Sequence, residues 1–257
     1  MPDTIRLPNA RNFRSIGPMH NRHSQLLSDG HLYRSGDLSA LQPDEQAQLA
    51  RAGISLVIDL RSRYECQRRP NRLPADMPME IFHGDIHVDV RAANGSLGDL
   101  LRADPSVEGV QAMMHATYDN LPCALLPRLR PIVEKMISTS GATLILCTAG
   151  KDRTGTLTAS LLRMLEIPGT TILADYLATN DRIDLEAMAH TSGQLMQELF
   201  DVQLPRPALD LVNTVHESYL AQARASIARD HGSFDGWLQA AGIDNDLLQA
   251  LRRRYLR

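Results

Sequence analysis

The chain has 257 residues, 43% of them hydrophobic, which is enough for one sizeable core with a small helical addition. A formal net charge of −3 and an aromatic content of 4% argue against a general nucleic-acid binder, which carries a basic excess and bases-stacking rings. The three cysteines, Cys66, Cys123 and Cys147, are odd in number and widely spaced, which speaks against a disulfide framework and against a Cys-x-x-Cys zinc site.

In chain order, Met1 to Arg14 is polar and interrupted by Pro2 and Pro8, with no resemblance to a signal peptide. No apolar stretch reaches the length of a bilayer crossing. A cytoplasmic protein without stable membrane insertion is the expectation; export without a cleavable signal would leave no mark. Leu32 to Arg34 reads as a short strand. Pro43 to Ala52 reads as a helix opened by proline and closed by Gly53. Ser55 to Arg61 is rich in branched residues and predicts a buried strand. Met79 to Asp89 alternates and predicts another. Thr143 to Cys147, short, apolar and preceded by Gly141, is the clearest strand. The remainder is helical in pattern: Thr154 to Leu165, Asp181 to Leu199, Pro207 to Arg229 and Asp244 to Tyr255. Strands alternating with helices, then helices alone, predict an α/β fold with a central, mainly parallel sheet flanked by helices and a helical C-terminal elaboration. Residues 1–257 are read as a single domain.

Chemistry concentrates in Cys147-Thr148-Ala149-Gly150-Lys151-Asp152-Arg153-Thr154-Gly155. A free thiol of pKa near ~8.5 is only about 3% thiolate at pH 7. A helix N-terminus contributes up to ~2 kcal/mol towards an anion, and hydrogen bonds and cations must supply the rest. Backbone N–H groups from Thr148 to Arg153, including Ala149, Gly150 and Lys151, are expected to curl into an anion-binding nest, with the helix beginning near Thr154 aimed at the same point. Gly150 lets the backbone turn and Gly155 allows close packing. Arg153 offers parallel donors to phosphoryl oxygens, Lys151 a second cation, and Thr154 a hydroxyl for the departing sulfur. An ATP-type phosphate loop fails on two counts: Asp152 follows Gly150-Lys151, and position 145 is Ile.

This loop resembles the active-site loop of the protein tyrosine phosphatase superfamily, and more narrowly that of the bacterial tyrosine/serine phosphatase family. Asn9 to Gly17, Leu32 to Ser39, Val57 to Ser62 with Glu65, and Gly232 to Leu256 are similar to further blocks of that family, so the resemblance spans nearly the whole chain. It implies the cysteine phosphatase fold and a cysteinyl-phosphate intermediate formed without metal or cofactor. Cys147 would be the nucleophile and Arg153 the phosphate clamp. The implied partners are a phosphorylated protein or a phosphoinositide; Lys151 stands where lipid-directed relatives also carry lysine. Two departures stand out. Leu146 occupies the position before the cysteine where His is usual, removing a polar neighbour of the sulfur. Ser15 and Pro18 replace the usual Asp and Gly.

The proton donor has two candidates. Asp152 lies in the loop, where the resemblance favours it; Asp85, in His83-Gly84-Asp85, follows the central strand, where the wider superfamily keeps its acid. Asp59 and Arg61 end the central strand and read either as loop-orienting groups or as an ion pair. Other functions remain open. His83, Asp85, His87 and Asp89 would share a strand face and bind a metal, as in a metallophosphoesterase. A rhodanese-type sulfurtransferase also uses a cysteine loop. A catalytically weak phospho-binding module is the non-enzymatic alternative, suggested by Leu146. Met113, Met114, Tyr118 and the stripe Leu195, Met196, Leu199, Phe200 read either as cleft wall or as packing. Arg14, Arg34, Arg61 and Arg63 read either as a basic rim or as solvated surface.

Overall fold

The computed structural model describes residues 5–74, 79–87 and 97–257. The strands are β1 (Arg14–Ser15), β2 (Met19–His20), β3 (Leu26–Leu27), β4 (Leu32–Ser35), β5 (Ile54–Asp59), β6 (Glu80–His83) and β7 (Ala142–Leu146). The α-helices are α1 (Pro43–Arg51), α2 (Arg63–Arg68), α3 (Leu97–Ala103), α4 (Val107–Ser138), α5 (Asp152–Met164), α6 (Gly169–Leu177), α7 (Leu185–Phe200), α8 (Arg206–Asn213), α9 (Glu217–His231), α10 (Phe234–Ala240) and α11 (Asn245–Tyr255). They fall into two compact units. The first comprises Met1–His87, Leu125–Tyr176 and Leu238–Arg257; the second comprises Val88–Ala124 and Leu177–Trp237.

The first unit is built on a five-stranded sheet of order β1-β4-β7-β5-β6. β4, β7, β5 and β6 run parallel, and only β1 is antiparallel, at the edge. All five residues of β7 are buried, as expected for a central parallel strand covered on both faces. The register fixes the site. Ser35 and Asp59 both pair with Leu146, and Asp59 also pairs with His83. The residues that follow these four strand ends, Gly36, Leu60, Gly84 and Cys147, therefore meet along one carboxyl edge, where α/β sheets carry their chemistry.

The second unit is helical. Tyr118 and Tyr219, both buried, stack with ring centroids 5.3 Å apart. The fully buried Trp237 donates its indole N–H to the Pro122 carbonyl at 3.3 Å.

Three expected elements change. The strand predicted over Met79 to Asp89 is only Glu80–His83: Gly84 N–H turns back to the Asp59 carbonyl at 2.8 Å, and Asp85 adopts φ +50°. Asp89 lies outside the described residues. The helix predicted from Asp181 begins at Leu185, capped by the Asp184 side chain; Asn180–Arg182 is a 3-10 turn. Pro207 to Arg229 is two helices, because the Asn180 side chain holds both backbone groups of Val215, accepting from its N–H at 2.8 Å and donating to its carbonyl at 2.9 Å. Those bonds replace the helical ladder at the break.

Candidate active site

Cys147 follows β7 directly and is 2% exposed. The loop beyond it is fixed from the protein side. The Thr148 carbonyl accepts from Asp37 N–H at 3.2 Å. The Gly150 carbonyl accepts from Asn12 Nδ2 at 2.7 Å and from Arg34 Nη2 at 3.0 Å. In a trans peptide the N–H points opposite its C=O. The Ala149 and Lys151 N–H groups therefore face away from these partners, as an anion-binding nest requires. Gly150 has φ +67°, and a Cβ there would lie 2.4 Å from the Ser35 carbonyl carbon. Gly155 lies one turn into α5, where a Cβ would sit 3.0 Å from the Tyr176 ring. The close packing expected of that glycine is present.

Arg153 sits in the first turn of α5 and carries a two-point ion pair. Its Nη1 donates to Glu65 Oε2 and its Nη2 to Glu65 Oε1, each at 2.7 Å, the strong fork geometry of arginine with carboxylate. Thr148 Oγ1 also donates to Glu65 Oε1. Burial alone would raise the Glu65 pKa, but the hydrogen bonds and charge of Arg153, with help from Thr148 and Ser62 N–H, bring it down to about 2. Burial works against the Arg153 charge, but Glu65 and then the nearby Cys147 sulfur outweigh it and raise its pKa. The guanidinium is thus permanently charged, close to the sulfur and held in one orientation.

Glu65 is the residue that sequence reasoning left without a role. The Ser62-x-x-Glu65 spacing marks a capping box, and that box forms: Glu65 N–H bonds Ser62 Oγ at 3.2 Å and Ser62 N–H bonds Glu65 Oε2 at 2.8 Å. That the same carboxylate would also grip an arginine 88 residues away has no local signature. The depressed pKa has a stability consequence. A carboxylate lowered on folding stabilises the native state above its unfolded pKa, and that stability drains as pH falls towards about 2. Glu65→Gln should therefore cost up to ~3 kcal/mol at pH 7. It should also flatten the loss of stability between about pH 4.5 and pH 2; urea unfolding across that range reads it, and parallel curves for the two proteins would refute the coupling.

Beneath the loop lies a second network. Arg34 is fully buried and its Nη1 donates to Asp175 Oδ2 at 2.7 Å. Arg14 Nε reaches Asp175 Oδ1 at 3.3 Å, its Nη2 reaches the Asp175 carbonyl at 2.8 Å, and its Nη1 bonds Asn12 Oδ1. Arg61, 2% exposed, forks onto the fully buried Asp59, with Nε to Oδ1 at 2.9 Å and Nη2 to Oδ2 at 2.7 Å. Neither expectation holds for three of these arginines. Arg14, Arg34 and Arg61 are neither a basic rim nor solvated; they are internal ion pairs, and only Arg63 is surface-exposed, at 87%. Asp59 and Arg61 form the strand-end ion pair.

The remaining candidates separate. Lys151 is 4% exposed, and its Nζ lies 3.2 Å from Asp152 Oδ1. Asp152 opens α5, at the mouth of the loop. Thr154 is fully buried, and its Oγ1 has no hydrogen-bond partner among the described residues. Asp85 accepts from Arg63 N–H at 3.1 Å and pairs with His87 Nε2 at 2.9 Å. The Arg63 N–H bond, reinforced by His87, holds its carboxyl below the usual range. Met113, Met114 and Tyr118 are buried, whereas Leu195 is 40% exposed. His83 is set apart from the Asp85–His87 pair and groups instead with Asp59 and Cys66.

A model of the tyrosine phosphatase family matches residues 5–257. The triple specificity protein phosphatase PtpB of Mycobacterium tuberculosis is 30% identical over 272 aligned residues, which cover 96% of this chain and 96% of that protein. A tyrosine-protein phosphatase homologue of Cupriavidus necator is 29% identical, covering 95% of this chain and 85% of its own. The tyrosine-protein phosphatase of Nostoc commune is 25% identical over 86% of this chain and 72% of its own. The chain belongs to the tyrosine phosphatase family and is a cysteine-dependent phosphatase.

Proposed function

We propose that residues 1–257 act as one phosphatase domain that hydrolyses phosphotyrosine, phosphoserine or phosphothreonine and phosphoinositide monoesters through Cys147. Arg153, held by the two-point grip of Glu65 in the first turn of the helix that follows the Cys147 loop, is the observation that carries this reading. The cysteine thiolate attacks phosphorus in line as the P–O bond to the leaving group breaks, and an aspartic acid gives its proton to the departing oxygen. The product is a cysteinyl phosphate. Water then attacks phosphorus, the same aspartate takes its proton, and sulfur departs as thiolate with Thr154 Oγ1 donating to it. Through both steps Arg153 and the N–H groups of the Thr148, Ala149, Gly150 and Lys151 stretch hold the non-bridging oxygens, where preorganised donors act most strongly. The Lys151 ammonium adds charge at the same loop.

Asp152 is assigned as the donor. Its place at the loop favours it, and Asp85 is engaged as a second cap on α2 through Arg63 N–H, held in its ionised form. PtpB is named for triple specificity, which supports a site open to protein and lipid phosphates. No helix of the described residues is long and apolar enough to cross a membrane, and we place the enzyme in the cytoplasm, with no nucleic-acid partner.

Release of phosphate from phosphotyrosine and phosphoserine peptides and from several phosphoinositides, with Cys147→Ser as the blank, tests the substrate range. Release from none of them would overturn it. The donor is tested by comparing an aryl and an alkyl phosphate. Alkoxide is the poorer leaving group, so loss of the true acid should cost the alkyl substrate roughly 10²–10⁴-fold and the aryl substrate less. Asp152→Asn should show that split, and Asp85→Asn should slow both substrates equally and modestly. The reverse pattern would transfer the role to Asp85.

A further inference from the structure

One edge of the sheet carries a group of side chains that hydrolysis does not use. Asp59 ends β5 and His83 ends β6, and the two are register partners on adjacent parallel strands. Cys66 stands opposite them on α2. One ligand atom from each of the three lies within 4.8 Å of the others, the one such His, Cys, Asp or Glu group among the described residues. The Cys66–Asp59 separation is that of a coordination sphere. Bonds of about 2.3 Å to sulfur and about 2.0 Å to oxygen at a tetrahedral angle put the two ligand atoms about 3.5 Å apart; Cys66 Sγ and Asp59 Oδ2 are 3.6 Å apart.

The surroundings bear on a bound ion in three respects. Asp59 is fully buried, and its Oδ2, the oxygen nearest Cys66 Sγ, also accepts from Arg61 Nη2 at 2.7 Å and from Asn71 Nδ2 at 3.0 Å, so an ion takes the place of the Asn71 contact while Arg61 keeps the carboxylate oriented. His83 is exposed, which gives an ion a way in from solvent. The donors are one sulfur, one imidazole nitrogen and one carboxylate oxygen, a mixed set that suits zinc and its first-row neighbours rather than magnesium or calcium.

We infer that Asp59, Cys66 and His83 form a site for a zinc-class divalent ion, with water as the fourth ligand. Binding replaces the Cys66 S–H proton by the metal, and that proton goes to solvent. The ion ties α2 to the ends of β5 and β6. Glu65 is the residue before Cys66 in the same helix, so the ion steadies the carboxylate that orients Arg153. It takes no part in the chemistry at Cys147.

Cobalt(II) tests the site, because a cobalt–thiolate bond absorbs in the near ultraviolet. The full-length Cys147→Ser protein, which lacks the competing active-site thiol, is titrated with cobalt alone. One ion per chain should bind with a sulfur-to-cobalt band. Adding Cys66→Ser should abolish the band, and adding His83→Asn, a change at an exposed position, should weaken binding by at least about 10-fold with the melting temperature of the metal-free protein unchanged. Absence of the band in Cys147→Ser, its survival after Cys66→Ser, or unchanged affinity after His83→Asn would each overturn the assignment.

Discussion

Cys147→Ser should lower phosphate release by on the order of 10⁴-fold or more while leaving the melting temperature within a degree or two. Loss of a nucleophile that acts as a unit with its partners removes nearly all turnover above the residual supplied by binding. Serine is smaller by little and keeps a polar atom at a position that is 2% exposed, so the fold has no reason to respond. The Arg153–Glu65 pair and the loop amides remain, and the variant should still bind a phosphotyrosine peptide. Steady-state kinetics alongside a binding titration read both halves. A residual rate within about tenfold of the wild type would show that another group attacks phosphorus. Binding by the wild type with no release at all would favour a phospho-binding module.

Gly150→Ala should lower turnover sharply through a single methyl group. Its φ of +67° is one that side chains adopt at a cost of roughly 1–3 kcal/mol. The added Cβ also meets backbone, at 2.4 Å from the Ser35 carbonyl carbon and 2.5 Å from Gly36 N, and backbone cannot step aside as a flexible side chain can. The loop must shift, and its amides leave the positions that grip phosphoryl oxygens. Displacement on the order of 1 Å costs about 10²-fold in rate, so kcat/KM should fall by at least that factor. Gly53→Ala is the control. Gly53 has φ +64° but nothing within 4 Å of its Cβ, and it should lose about 1 kcal/mol with unchanged turnover. Equal loss of activity in the two variants would mean that strain, not loop placement, is responsible.

The parts of this molecule that sequence alone made legible are those whose cause is local. β7, the glycine turn and α5 are contiguous, and each carries its own signal: a short apolar run, a residue free to adopt positive φ, and a helical pattern. What stayed hidden depends on partners distant in the chain. α4 was not anticipated, because Pro122, Pro127 and Pro131 each remove a helical N–H and read as breakers. Tertiary burial overrides them: Leu121, Leu125, Leu129, Ile132 and Val133 are fully buried along that helix. Likewise an arginine reads as surface until its partner is known, and Asp175 lies 141 residues from Arg34 and 161 from Arg14. In the site itself, the residue types of the loop announced the chemistry, whereas the Glu65 grip on Arg153 required the fold.

Arg14 and Arg34 converge on Asp175, and Arg34 also holds the Gly150 carbonyl from below. These contacts are sunk beneath the surface, where dissolved ions screen weakly. Added salt should therefore weaken the pull of cations open to solvent on a dianionic guest while the prop under the cup keeps its shape. The receptacle stays formed in brine.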